Sequence, residues 1–357
     1  LYIKKYCKFK FVISFLIVLV SQSKLLASET QLINANLCQL ANNTLDYINK
    51  SKFYQGTQLV GQNAGVEETP ENIIKTLKHI CQLQYSKNQI ADLKRVFKLQ
   101  RWQPDLTQAH KIAATTSNPN KRSMLNRIPT DKILLTKYYT KLVDARLTRQ
   151  NEYQQAIYQL PYDEIALSFE QAEDISNKLT RYKYSRQAVM QGILDKHNLA
   201  KPLLWLTEKS LHDVMLQGTA VYKMDNKTLF FNVHRNNGIS YDYALNKDQQ
   251  ARYWYFKQVP SIMGYGKDPD HKIPIYPNVT VAGNIKDLGL GRLILLTENT
   301  PAGQFQRLVI LADEGGAFEN NLFQLDLLVG SYKGWSDYHQ ANKHLPDFVK
   351  AEFLTLK

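Results

Sequence analysis

VILADEGGAFENNLFQLDLL, residues 309 to 328, places Asp313 before a glycine pair and Asp326 inside an otherwise apolar run. Taken with a period of two, Phe323, Leu325, Leu327 and Val329 share one side of a strand, while Gln324, Asp326 and Leu328 share the other. Asp326 leaves the core face but stays flanked by leucines. A carboxyl in such surroundings is poorly solvated, which favours its protonated form and makes it a usable proton donor near neutral pH. On local pattern alone, a solvent-facing aspartate on an edge strand is the plainer reading.

The chain around this stretch is ordinary globular material, with 357 residues, 44% hydrophobic and 22% charged. Its N-terminus reads as a secretory signal: Lys4, Lys5, Lys8 and Lys10, then the apolar run Phe11 to Val20, then Leu25-x-Ala27 as a cleavage site. A short membrane anchor is the competing reading of the same run. Mature protein is expected to begin near Ser28, and no cysteine stands where a lipid-modified terminus needs one. Removing residues 1–27 takes away five lysines and no acid, so the net charge falls from +13 to +8. A basic exported protein is drawn to anionic envelope surfaces. Export argues against nucleic acid as a partner, and TRYKYSRQ (Thr180 to Gln187) reads as a solvated face.

Cys38 and Cys81 remain after the signal, each on the apolar side of a candidate helix. An oxidising compartment suggests one disulfide between them; two buried thiols are the alternative. Residues 30 to 100 read as helical, with Leu37, Leu40/Ala41, Leu45 and Ile48 as one stripe and Ile90, Leu93, Val96 and Phe97 as another. Residues 113 to 130 read as a loop. Beyond them short strands dominate, among them KILLTKYYTKLV and TLFFNVH with ISYDYAL as a hairpin around Asn236-Asn237-Gly238. Strands of this length between Gly, Pro and Asn turns point to a barrel rather than a parallel sheet. Scattered histidines give no metal-ligand spacing, and no Gly-rich phosphate loop or GxSxG elbow is present. What remains is carboxylate chemistry among 21 tyrosines and four tryptophans, whose flat faces suit sugar rings. Trp254, between Tyr253 and Tyr255, is one such face, with core packing as its other reading.

Five ordered blocks, Leu135 to Pro161, Met215 to Tyr222 (MLQGTAVY), Arg235 to Tyr241 (RNNGISY), Arg252 to Val259 (RYWYFKQV) and DEGGAF with the later Asp326, resemble the membrane-bound lytic murein transglycosylase A family. That resemblance implies a mainly β (α+β) protein: a double-psi β-barrel with N-terminal helices, a second inserted β domain, and the substrate groove between them. The implied division is a signal peptide at 1–27, a helical part of the barrel domain at 28–139, the inserted domain at 140–250, and a C-terminal 3D-type barrel part at 251–357. It further implies cleavage of the β-1,4 bond between N-acetylmuramic acid and N-acetylglucosamine with a 1,6-anhydro end. No cofactor or metal is implied. The partner is peptidoglycan glycan strands, acted on by a monomer in the periplasm of a Gram-negative envelope.

By the same resemblance Asp326 falls on the catalytic acid and Asp313 on a supporting aspartate, while Asn284 stands where the module's first aspartate is expected. Gln217, Thr136, Tyr139 and Tyr241 fall in blocks that contact substrate. Lys137 replaces a glycine, and Thr219 and Ala220 replace the small residues after Gln217-Gly218. Between Tyr241 and Tyr253 the chain is shorter than the family pattern. The Asn284 change and this trimming keep a second reading open, a non-catalytic glycan-binding barrel of the envelope.

Overall fold

The structure, a computed structural model, describes residues 35–83, 90–301 and 303–357. Residues 1–27, expected as a signal peptide, lie outside them. Six strands close on themselves: β1 (Ile133–Leu142), β2 (Thr280–Ala282), β3 (Leu293–Thr300), β4 (Gly303–Asp313), β5 (Gln324–Tyr332) and β6 (Phe348–Leu356). Around the barrel the order is β6, β3, β4, β2, β5, β1 and back to β6. Two of the six pairings are parallel, β4 with β2 and β5 with β1. The other four are antiparallel, so the barrel is mixed. Closure removes the edges that six such apolar strands would otherwise expose. The expected mainly β barrel with helices is the fold observed.

Helix 35–51 and helix Pro70–Ile80 lay their apolar stripes on this barrel, and Leu37, Leu40, Ala41, Leu45 and Ile48 join Ile73, Leu77 and Ile80 in its main core. Thr69 caps the second helix by accepting from the Asn72 amide, with Pro70 at its first position. Cys38 and Cys81 are disulfide-bonded between the two. Phe97, expected to continue a helical stripe, instead begins the strand Phe97–Arg101, because the outer edge of β6 offers it a ladder from Phe97↔Leu356 to Arg101↔Glu352. Residues 113 to 130 are not a loop either. Helices Leu106–Thr115 and Pro119–Asn126, capped by Asp105 and Asn118, cover a small core with Leu134 and Phe323.

Beyond β1 the sheet continues through Thr219–Lys223, Thr228–Asn236 and Trp254–Val259, starting from the parallel pairing of Lys141 with Ala220. These strands and a separate three-stranded sheet enclose a second core that includes Val143, Leu204, Phe231, Tyr253 and Phe256. The hairpin expected at Asn236-Asn237-Gly238 does not form. The Asn237 side chain accepts from the Tyr253 amide and donates to the Tyr184 and Ala251 carbonyls, so Thr228–Asn236 pairs with Trp254–Val259 and residues 239–245 hold no strand. TRYKYSRQ is not a solvated face: Arg181 and Arg186 are buried. Arg181 pairs with the enclosed Glu164, and Arg186 donates to the carbonyls of Lys247 and Arg252.

Candidate active site

Ala282 on β2 pairs with Asp313 on β4 on one side and Asp326 on β5 on the other, and Asp326 in turn pairs with Thr136 on β1. Residues at one register point the same way, so both carboxyls and Thr136 form a single lateral row on the barrel wall. Tyr138, two residues beyond Thr136, falls on the same face, and its hydroxyl donates to Asp313 Oδ2 at 2.6 Å. Below the row, Leu325 and Leu327 are fully buried, as the alternation requires. Leu328, on the Asp326 side, is fully buried too, so that face is also enclosed rather than an edge open to water.

Enclosure sets the electrostatics. Burial pushes the Asp326 carboxyl up to about 7; the Thr136 hydroxyl opposes the shift, the Asp313 charge adds to it and Lys137 reduces it. Asp326 Oδ1 is buried with no hydrogen-bond partner among the described residues, leaving an unused acceptor in a poorly hydrated place. Burial also raises Asp313, to about 6, against the hydrogen bonds from Tyr138 and the Glu314 amide and the charge of Lys272. Thr136 is held by its own bonds, donating to the Leu325 carbonyl and accepting from Gln324 Nε2 at 2.8 Å.

A groove of about 1370 Å³ opens against this row. Its wall on the barrel side carries Tyr138, Asp313 and the open Gly315-Gly316 turn; the opposite wall carries Gln217, Thr219 and Asn232. Gln217 ends the helix Glu208–Gln217, and Gly218, at φ 75°, takes the left-handed turn that stops the helix there and leaves the amide exposed at the groove. Asp326 and Thr136 lie beside the groove rather than on its lining.

Residues 134–244 match a family model, the MltA specific insert domain. Among solved structures the chain is similar to a membrane-bound lytic murein transglycosylase from Agrobacterium tumefaciens, at 13% identity over 91% of this chain and 92% of that one, with a TM-score of 0.53. It is also similar to MltA from Neisseria gonorrhoeae, at 12% identity over 90% and 86%, with a TM-score of 0.54. The chain is MltA-like. No curated protein matches it in sequence.

The remaining sequence candidates divide. Tyr139 lines the groove and stacks on Tyr338 at 4.7 Å. Asn284 also lines it, but its side chain caps the short helix Ile285–Leu288, accepting from the Asp287 amide and donating to the Asp287 carboxyl at 2.6 Å. An asparagine thereby holds a carboxylate, Asp287, on the groove wall. Tyr241 is not on the groove; its ring meets the exposed Tyr243. Trp254 is half-buried beneath the Arg252 guanidinium, at 4.3 Å, and packs on the second core.

Two groove residues escape sequence reasoning, Lys272 altogether and Tyr138 in its partner. Lys272 lines the groove and donates to Asn232 Oδ1, while Asn232 donates to Thr219 Oγ1 and the Gly218 carbonyl, tying the two walls together. Lys272 belongs to no motif, since only the fold brings it opposite Asp313. Tyr138 sits in a recognisable block, but its bond to Asp313 spans 175 positions. Among the described residues, no group of three or more His, Cys, Asp or Glu is placed to hold a metal, and no helix is long and apolar enough to cross a membrane.

Proposed function

We propose that this MltA-like chain is a peptidoglycan lytic transglycosylase of the cell envelope, cleaving the β-1,4 bond between N-acetylmuramic acid and N-acetylglucosamine, with Asp326 as acid and then base. The observation that carries this reading is the Asp326 carboxyl, raised to about 7 with an unpartnered, enclosed Oδ1 beside a groove of glycan-binding size. At neutral pH such a group is present in both protonation states, which suits a residue that must give and later take a proton. In the first step Asp326 protonates the glycosidic oxygen as the bond to the muramic C1 breaks, and the leaving sugar departs with that proton as its 4-hydroxyl. The resulting carboxylate then takes the proton from the muramic C6 hydroxyl as its oxygen bonds to C1, closing the 1,6-anhydro ring and restoring the acid. Ordinary glycosidases need a second carboxyl because water or the protein supplies the nucleophile; here the substrate supplies it.

Asp313 has a supporting role in this scheme. Its charge raises Asp326, Tyr138 holds it in place, and the charge of Lys272 favours its ionised form. Gln217 and Tyr139, both on the groove lining, offer an amide with both donor and acceptor and an aromatic face. Thr136 positions the Asp326 carboxyl. Digestion of purified sacculi, with mass spectrometry of the released muropeptides, tests the function: anhydro ends are expected, and intact sacculi would mark a binding protein.

A further inference from the structure

Trp335 opens the helix Trp335–Asn342, in which no residue is buried, and is itself 68% exposed. The chain's other tryptophans differ: Trp102 and Trp205 are buried and Trp254 is half-buried. Helical spacing brings Trp335, Tyr338 and His339 together. The indole lies 5.4 Å from the His339 ring, nearly parallel at 21°, and 5.4 Å from the Tyr338 ring. Tyr338 in turn stacks on Tyr139, and its hydroxyl donates to the Lys137 carbonyl, which anchors the helix on β1. Tyr139 lines the groove. Four rings therefore run without a break from the groove wall to open solvent.

We propose that this strip is a glycan contact outside the groove, in which Trp335 stacks on a pyranose ring of the same β-1,4-linked amino-sugar strand whose other residues occupy the groove. The inference rests on the groove being a glycan site, and it adds a second place where the strand is held. Continuity decides the occupant. Tyr139 belongs to both groove and strip, so a chain leaving the groove over Tyr139 meets Tyr338 and then Trp335. A pyranose presents an apolar C–H face that covers an indole while its hydroxyls stay in water, as an amphipathic surface of this kind requires. Trp335 has no place in the proton transfers. Its effect is on holding long strands.

The test uses full-length Asp326→Asn protein, so that bound strands are not cut, titrated with chitotriose and chitohexaose while tryptophan emission is followed. Chitohexaose is expected to shift the exposed-tryptophan emission to the blue. Trp335→Ala in that background is expected to abolish the shift and weaken chitohexaose binding about threefold to tenfold, the range of one aromatic stacking contact. Trp335→Phe should recover most of the affinity, and chitotriose binding should be nearly indifferent to either change. Unchanged chitohexaose affinity in Trp335→Ala, in a protein whose wild type releases anhydro products from sacculi, overturns the strip and leaves the groove's function standing. A Trp335-dependent response in a protein that releases no such products keeps the strip and overturns the catalytic reading. Absence of any response to chitohexaose overturns the strip.

Discussion

Asp313 and Asp326 pair with opposite sides of the same residue, Ala282, and so stand two strands apart on one row of the barrel wall. At about 4.8 Å per strand this is roughly 10 Å between their Cα atoms. They are near enough for one charge to move the other's proton affinity, and the pKa of Asp326 depends on burial first and on Asp313 as a further contribution.

That coupling has a signature in the pH profile. Protonated Asp326 is needed for the first step, so cleavage should decline as pH rises through about 7. In Asp313→Asn the neighbouring negative charge is gone, Asp326 loses part of its upward shift, and the alkaline limb should move to lower pH. The shift is partial because burial remains. Rates measured between pH 5 and 9 for wild type and variant check this; an unmoved limb would separate the two carboxyls.

Stability should respond with the opposite mutation. An aspartate near 3.9 in the unfolded chain and near 7 in the fold favours folding fully below about pH 4 and loses that contribution as pH rises through about 7. Asp326→Asn removes an ionisation that disfavours the fold, by at most about 4 kcal/mol at the size of this shift. The variant should melt higher than wild type at pH 8, with the gap closing toward pH 4. Melting curves across that range decide it.

Glu164 offers a test of the second core. Its carboxylate, fully buried, accepts from Arg181 Nε at 2.8 Å and from Arg235 Nη1 at 2.9 Å. Glu164→Ala leaves two guanidinium groups facing each other without their shared partner and should cost about 3–5 kcal/mol. Chemical denaturation measures the loss.

Removing the disulfide should also destabilise the fold. Cys38 and Cys81 close a loop across 43 positions, worth about 4 kcal/mol in the chain-entropy view. Cys38→Ala/Cys81→Ala should unfold at lower denaturant while cleaving sacculi at near wild-type rate under native conditions, since neither residue lines the groove.

Much of this arrangement is legible in the sequence where a period and a turn coincide. β1, β3, β4 and β5 are short apolar runs, buried over consecutive residues, and Asp326 breaks a leucine run at the position that the structure encloses. Legibility fails where a distant partner decides. Phe97 has a helical neighbourhood but takes the edge of β6. Pro119–Asn126 has almost no apolar stripe, and only the Asn118-Pro119 cap announces it. Arg181 and Arg186 read as surface charge because Glu164 and the carbonyls that satisfy them lie many residues away. Lys272 is invisible for the same reason, and Asn237 looked like a turn residue while its side chain was committed to three backbone groups.

The most direct measurement is the end group released from sacculi by wild type, Asp326→Asn and Asp313→Asn, with melting temperature as the control for folding. Amide for carboxyl preserves volume and hydrogen bonding but cannot shuttle a proton, and each acid or base step is worth roughly 10²- to 10⁴-fold. Wild type should release 1,6-anhydro ends, Asp313→Asn should release the same ends more slowly, and folded Asp326→Asn should release none. More than about a tenth of wild-type release from Asp326→Asn would contradict the assignment. So would reducing ends in place of anhydro ends, which would make water the nucleophile and Asp313 its base.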